Sequence, residues 1–185
     1  LQIASGISDD IEANDTIWDI TRARLPWLII GLLGGLLGAK VIGAFELKNN
    51  FELAFFIPLI AAMAGNVGIQ SAAIVVQSLA NQSLKTNQTF NRLFKEFRVA
   101  IFNGLICSIL ILFLTYIIGY SIELSITVSI SLLCVIVFAG LFGTFTPLFL
   151  ERYKIDPALA TGPFITTVND ILGLIIYFLI GQALL

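Results

Sequence analysis

"FITTVNDILGLIIYF", residues 164–178, is a run that hydrocarbon would accept but for Asp170, the sole charged side chain after Asp156. A stretch this apolar belongs in a bilayer, and a carboxylate inside it then needs a reason. A spanning helix requires about 20 predominantly apolar residues, and four similar runs precede this one. We place the five at about 25–45, 51–80, 99–120, 124–150 and 158–185. Backbone groups in lipid must be satisfied internally, so runs this long and rich in Leu, Ile and Phe are helices. A β-barrel would show short alternating segments instead. The expected fold is an all-α membrane protein with five transmembrane helices, the second and fifth broken, and a cytoplasmic N-terminus.

Composition agrees. The chain has 185 residues, 58% hydrophobic and 12% charged, with mean hydropathy +0.97. A soluble domain carries about 25% charged residues. The ten basic residues are too dispersed for a phosphate-binding face, so nucleic acid is not an expected partner. Cys107 and Cys134 sit in apolar runs and read as small hydrophobes. The chain has no His, so no imidazole serves as ligand or base. It opens on Leu1 and is expected to be part of a longer protein, with 1–23 a cytoplasmic connecting helix or linker and 24–185 the transport domain.

Basic residues set the orientation. Arg22 and Arg24 precede the first span; Lys85, Arg92, Lys95 and Arg98 separate the second and third; Arg152 and Lys154 separate the fourth and fifth. The other side holds Lys48 with Glu46, Glu52 and Glu123, and Lys40 lies near that end of the first helix. All three basic clusters fall on one side, which the positive-inside rule makes cytoplasmic. Residues 81–98 then read as a cytoplasmic loop leading into an amphipathic turn. Residues 1–20 hold Asp9, Asp10, Glu12, Asp15 and Asp19, five of the 12 acids. They read either as a solvated linker or as a cytoplasmic cation vestibule.

Counted from Ala158, Asp170 lies about 18 Å along its helix, near the bilayer midplane. A charge there costs at least about 2.5–3.5 kcal/mol, and such residues face a bundle interior or a watery path. Thr166 and Thr167 share its face, and Gly173 follows one turn on. The structural alternatives are a protonated Asp hydrogen-bonded to another helix, or a salt bridge to Lys40. Pro163 lacks an N–H, so within a helix the Leu159 carbonyl would lose its partner, and Gly162 loosens the turn. A free carbonyl near a carboxylate is an oxygen-only, hard-cation environment. Asp156 before Pro157 reads as an N-cap. The second run holds Pro58, Gly65, Asn66, Gly68 and Gln70, with Asn66 and Gln70 on one face. These amides suit a hydrated ion or interhelical hydrogen bonding with close glycine contact.

Together, "PLIAAMAGNVGIQSAA" and "DPALATGPFITTVNDILGLIIYF" resemble the transmembrane domain of the MgtE family of magnesium transporters and channels, to which certain animal solute carriers are related. The resemblance runs from Arg24 to the C-terminus. It implies a homodimer with a Mg²⁺ pore on its two-fold axis and regulatory domains upstream. The family's pore aspartate matches Asp170, its fifth-helix carbonyls match Leu159 and Thr166, and its second-helix Gly-Asn pair matches Gly65 and Asn66. Thr167, Gln70, Gly162, Pro163 and Ala62 fall among pore-lining positions. The chain departs from the family at Ala62 and Ala64, where glycines are frequent, and at Ile69 and Gly162, where some members carry Asn.

A two-fold axis would pair two Asp170 carboxylates against a 2+ ion. Mg²⁺ dehydrates reluctantly, so contact through retained waters is expected. No organic cofactor is implied. The expected function is passive transport of Mg²⁺, with other divalent cations as further candidates. The competing readings are a Na⁺- or H⁺-coupled exchanger using Asp170, and an intramembrane aspartyl protease. The protease needs a second buried aspartate, and the apolar runs hold none.

Overall fold

The computed structural model describes residues 12, 14–45, 51–82, 89–160 and 162–185, with Leu159 and Ala160 described by backbone alone. Asp9, Asp10, Glu46, Lys48 and Lys85, which figured in the charge pattern, lie outside the described residues. The helices are α1 (Ile17–Ala44), α2 (Ile57–Ala80), α3 (Thr89–Ile118), α4 (Ile122–Arg152) and α5 (Pro163–Leu184). A 3-10 segment, Phe51–Phe56, leads into α2, and another, Pro157–Ala160, precedes α5. Among the described residues there is no strand, and all five helices are long and apolar enough to cross a membrane. The chain is an all-α integral membrane protein.

Two helices start earlier than hydropathy suggests. α1 begins at Ile17 and α3 at Thr89, because Arg, Lys and Glu are good helix formers whose charge excludes them from hydrocarbon and not from a helix. The Thr16 side chain caps α1 by accepting from the Asp19 N–H at 3.3 Å. Ser121 does the same for α4, from the Leu124 N–H at 3.2 Å.

The second and fifth segments differ in detail from expectation. α2 is an unbroken helix through Gly65, Asn66 and Gly68. Pro58 sits in its first turn, where it has no helical bond to lose. In the fifth segment, Asp156 accepts from the Ala158 N–H at 2.9 Å and caps the 3-10 turn. The chain then turns at Gly162, whose φ of 66° is open to glycine without strain, and Pro163 opens α5. Leu159 therefore lies outside α5, and Pro163 does not strip its carbonyl of an α-helical partner. Asp170 stands about 10 Å from the start of its helix, not 18 Å.

α4 is the hub, packed against α2, α3 and α5. Its Leu132, Val135, Ile136 and Ala139 meet Ile60 and Ala64 of α2 and Leu174, Tyr177 and Phe178 of α5. Small residues bring the helices close, the packing device of proteins that cannot use the hydrophobic effect between helices. A Cβ on Gly143 would overlap the Gly68 carbonyl, and one on Gly104 would stand 2.7 Å from Leu133. The buried Tyr177 hydroxyl donates to the Leu53 carbonyl at 2.8 Å, tying the lead-in of α2 to α5. α1 lies against α5, with much of its Leu and Ile surface facing outward.

Candidate cation site

Helical periodicity gives α5 three polar directions in five residues. Asn169 is fully buried against α2, where a Cβ on Gly68 would overlap its Nδ2. Thr166 and Asp170, one turn apart, face Gly65: a Cβ there would lie 3.0 Å from Asp170 Oδ1 and 3.0 Å from Thr166 Cγ2. Thr167 faces α1, where a Cβ on Gly34 would overlap its methyl group. Each polar residue thus meets a glycine on the neighbouring helix, and the three contacts fix the rotation of α5.

Asp170 opens onto a cleft of 290 Å³ between α1, α2 and α5. Its walls include Gly31, Gly34, Gly35 and Gly38 of α1, Ala61 of α2, and Thr167 of α5. A water occupies about 30 Å³ in the liquid, so the cleft has room for a divalent ion that keeps its inner waters. Asp170 Oδ1 is sealed from bulk solvent and has no hydrogen-bond partner among the described residues. Lys40 is exposed and does not pair with it; the ion pair among the described residues is Arg92–Glu96 at 3.2 Å. A carboxylate oxygen that is desolvated and unpartnered is in the condition that a cation relieves.

The other anticipated residues divide. Thr166 donates its hydroxyl to the Gly162 carbonyl at 3.1 Å, while its own carbonyl lies within the α5 ladder, committed to the residue four on. Gly65 adjoins Asp170 directly. Ala62 and Asn66 lie on the exposed side of α2, one turn apart. Gln70 lines a different cleft, with Ser71, Arg92 and Glu96. Gly162 and Pro163 form the entry turn of α5. Among the described residues no group of three His, Cys, Asp or Glu side chains is placed to hold a metal ion, and Asp170 is the carboxylate that lines the cleft.

Two features went unread in the sequence. The α1 wall of the cleft was signalled by glycines at 31, 34, 35 and 38, which share one helical face. Glu96, only 6% exposed, accepts from the Ser71 hydroxyl at 2.6 Å and pairs with Arg92. The polar character of 81–98 suggests a loop leading into an amphipathic turn and gives no sign that Glu96 is buried.

Five helices able to span a membrane, three of them enclosing a cleft with one unpartnered carboxylate, define a polytopic helical membrane protein. A family profile described as MgtE, divalent cation transporter, matches residues 57–180. The magnesium transporter MgtE of Bacillus subtilis is 42% identical over 176 residues, covering 94% of this chain and 39% of that protein. Its namesake from Thermus thermophilus is 34% identical over 165 residues, 88% of this chain and 36% of that protein. That from Enterococcus faecalis is 34% identical over 161 residues, 86% and 36%. The chain belongs to the MgtE family. It spans less than two fifths of the length of these relatives, 36–39%.

Proposed function

We propose that this chain is the membrane-spanning part of a Mg²⁺ transport protein of a bacterial plasma membrane, and that it works as a homodimer with its pore on the two-fold axis. The observation that carries the reading is Asp170 Oδ1, buried and unpartnered beside a cleft large enough for a hydrated ion. One carboxylate is a poor match for a 2+ charge, and two on a symmetry axis balance it. The exposed Ala62 and Asn66 lie on α2 beside the glycine that adjoins Asp170. A second copy covering that surface would place the Asn66 amides near the axis, where they can contact the ion's waters. Thr167 lines the approach, and Leu159, Gly162 and Pro163 border the cytoplasmic entrance.

The N-terminus lies inside, 24–185 forms the transport domain, and cytoplasmic regulatory domains precede it in the full protein. An inside-negative potential draws the ion in, at about 2.3 kcal/mol per charge per 100 mV. The relatives named as magnesium transporters support transport over catalysis. The test is dye-reported uptake into liposomes, comparing Mg²⁺, Mn²⁺, Co²⁺ and Ca²⁺ under an imposed potential. Uptake of Mg²⁺ that follows the potential and needs neither a Na⁺ nor a proton gradient is expected. Uptake that requires either gradient would replace this reading with coupled exchange.

A further inference from the structure

The polar end of α3 carries a surface that cation transport does not use. Asn91, Phe94, Lys95, Arg98, Phe102 and Asn103 recur at spacings of three and four and line a cavity of 720 Å³. A second cleft of 280 Å³ shares Lys95 and Asn103 and adds Gln70 of α2. Arg92 is held by Glu96, and Glu96 by Ser71, so that carboxylate is already compensated. Lys95 and Arg98 form no ion pair among the described residues. Two uncompensated cations beside amide donors are the groups that recognise a phosphate.

The same stripe continues in a different chemistry. Val99, Phe102, Ile106, Ile109 and Phe113 follow at helical spacing, and each is 44–68% exposed. From Val99 to Ile109 the helix rises about 15 Å, half of the roughly 30 Å hydrocarbon core. The face therefore offers cations and amides at one end and an apolar track one leaflet deep below them. Free phosphate would use only the first part; a phospholipid uses both. We infer that this face of α3 binds an anionic phospholipid, its headgroup phosphate against Lys95 and Arg98 and its acyl chain along Val99, Phe102 and Ile106.

The test uses the full chain in bilayers, with Trp18 and Trp27 replaced by Phe and Phe102→Trp as the sole reporter. Tryptophan quenching by brominated phosphatidylglycerol is compared with quenching by brominated phosphatidylcholine. Each cation near the headgroup contributes about a five-fold preference, so the anionic lipid should be favoured at least five-fold. Lys95→Gln with Arg98→Gln should bring the ratio close to one, and Lys95→Arg with Arg98→Lys should restore it. Should the neutral double variant fail to fold, Lys95→Gln alone should lower the ratio several-fold. A ratio near one in the reporter protein, or a preference that survives neutralisation, overturns the assignment. Loss of the preference on adding millimolar inorganic phosphate would mark a free-anion site and overturn it equally.

Discussion

Gly65 and Asp170 meet so closely across the α2–α5 contact that a methyl on the glycine would stand 3.0 Å from the carboxylate Oδ1. The same methyl would press on Thr166 at 3.0 Å, so Asp170 must give way by a few tenths of an ångström. Gly65→Ala is expected to leave a folded protein whose Mg²⁺ flux falls about ten-fold, the order of penalty for displacing a site group slightly. Gly43→Ala adds a methyl with nothing within 4 Å, away from the cleft, and should keep parental flux. Liposome uptake of the two variants checks both halves.

Asp170→Asn keeps the side chain's size and removes its charge. Two unit charges 4 Å apart attract by about 4 kcal/mol at an effective dielectric near 20, roughly a 10³-fold loss of ion occupancy. Flux should drop to about a hundredth or less of the parent while gel filtration shows an unchanged species. Parental flux from this variant would remove Asp170 from the transport mechanism.

Gly34 and Thr167 give a second-site test of the α1 wall. Gly34→Ala overlaps the Thr167 methyl and should destabilise by about 1–3 kcal/mol, as overpacked contacts do. Thr167→Ser deletes that methyl, so the double variant should recover most of the loss. Additive effects in a thermal-unfolding cycle would show that the two residues do not touch.

Tyr177→Phe leaves the Leu53 carbonyl without its 2.8 Å donor in a buried place. The cost should be about 1–3 kcal/mol, seen as a lower unfolding midpoint in detergent. Ion selectivity should not change, because Tyr177 does not line the Asp170 cleft.

Orientation is checked by cysteine labelling after Cys107 and Cys134 are replaced by Ala. Glu123→Cys should react with an impermeant maleimide from outside, and Lys154→Cys only after the membrane is opened. Outside labelling at Lys154 would reverse the topology.

The five spans were legible because a crossing is a bulk property of some twenty residues, and hydropathy averages over that length. Asp170 was legible for the converse reason, as one charge where none is tolerated without cause. The polar turns at 89–98 were not. Charge was read as a sign of loop, yet Thr89–Ile118 is one helix that turns Glu96 inward to Ser71. Asn66 and Gln70 share a helical period and both lie on the exposed side of α2. Gln70, one turn on, reaches the Glu96 cleft. Pairings such as Gly34 with Thr167 depend on which helices become neighbours, and no single helix's pattern states that.

That last contact has a consequence for biogenesis. Among the five spans α1 is synthesised first, but the helix it packs on, α5, emerges last. Thr167 follows Gly34 by roughly 130 residues, about 7 to 26 s of synthesis at 5–20 residues per second. Throughout that interval α1 must wait in lipid as an independent span, which its outward Leu and Ile surface permits. The glycine wall is thus the first part of the cleft to be made and the last to be seated. A ribosome stalled before Thr167 would leave α1 unattached while α2, α3 and α4 were already free to pack.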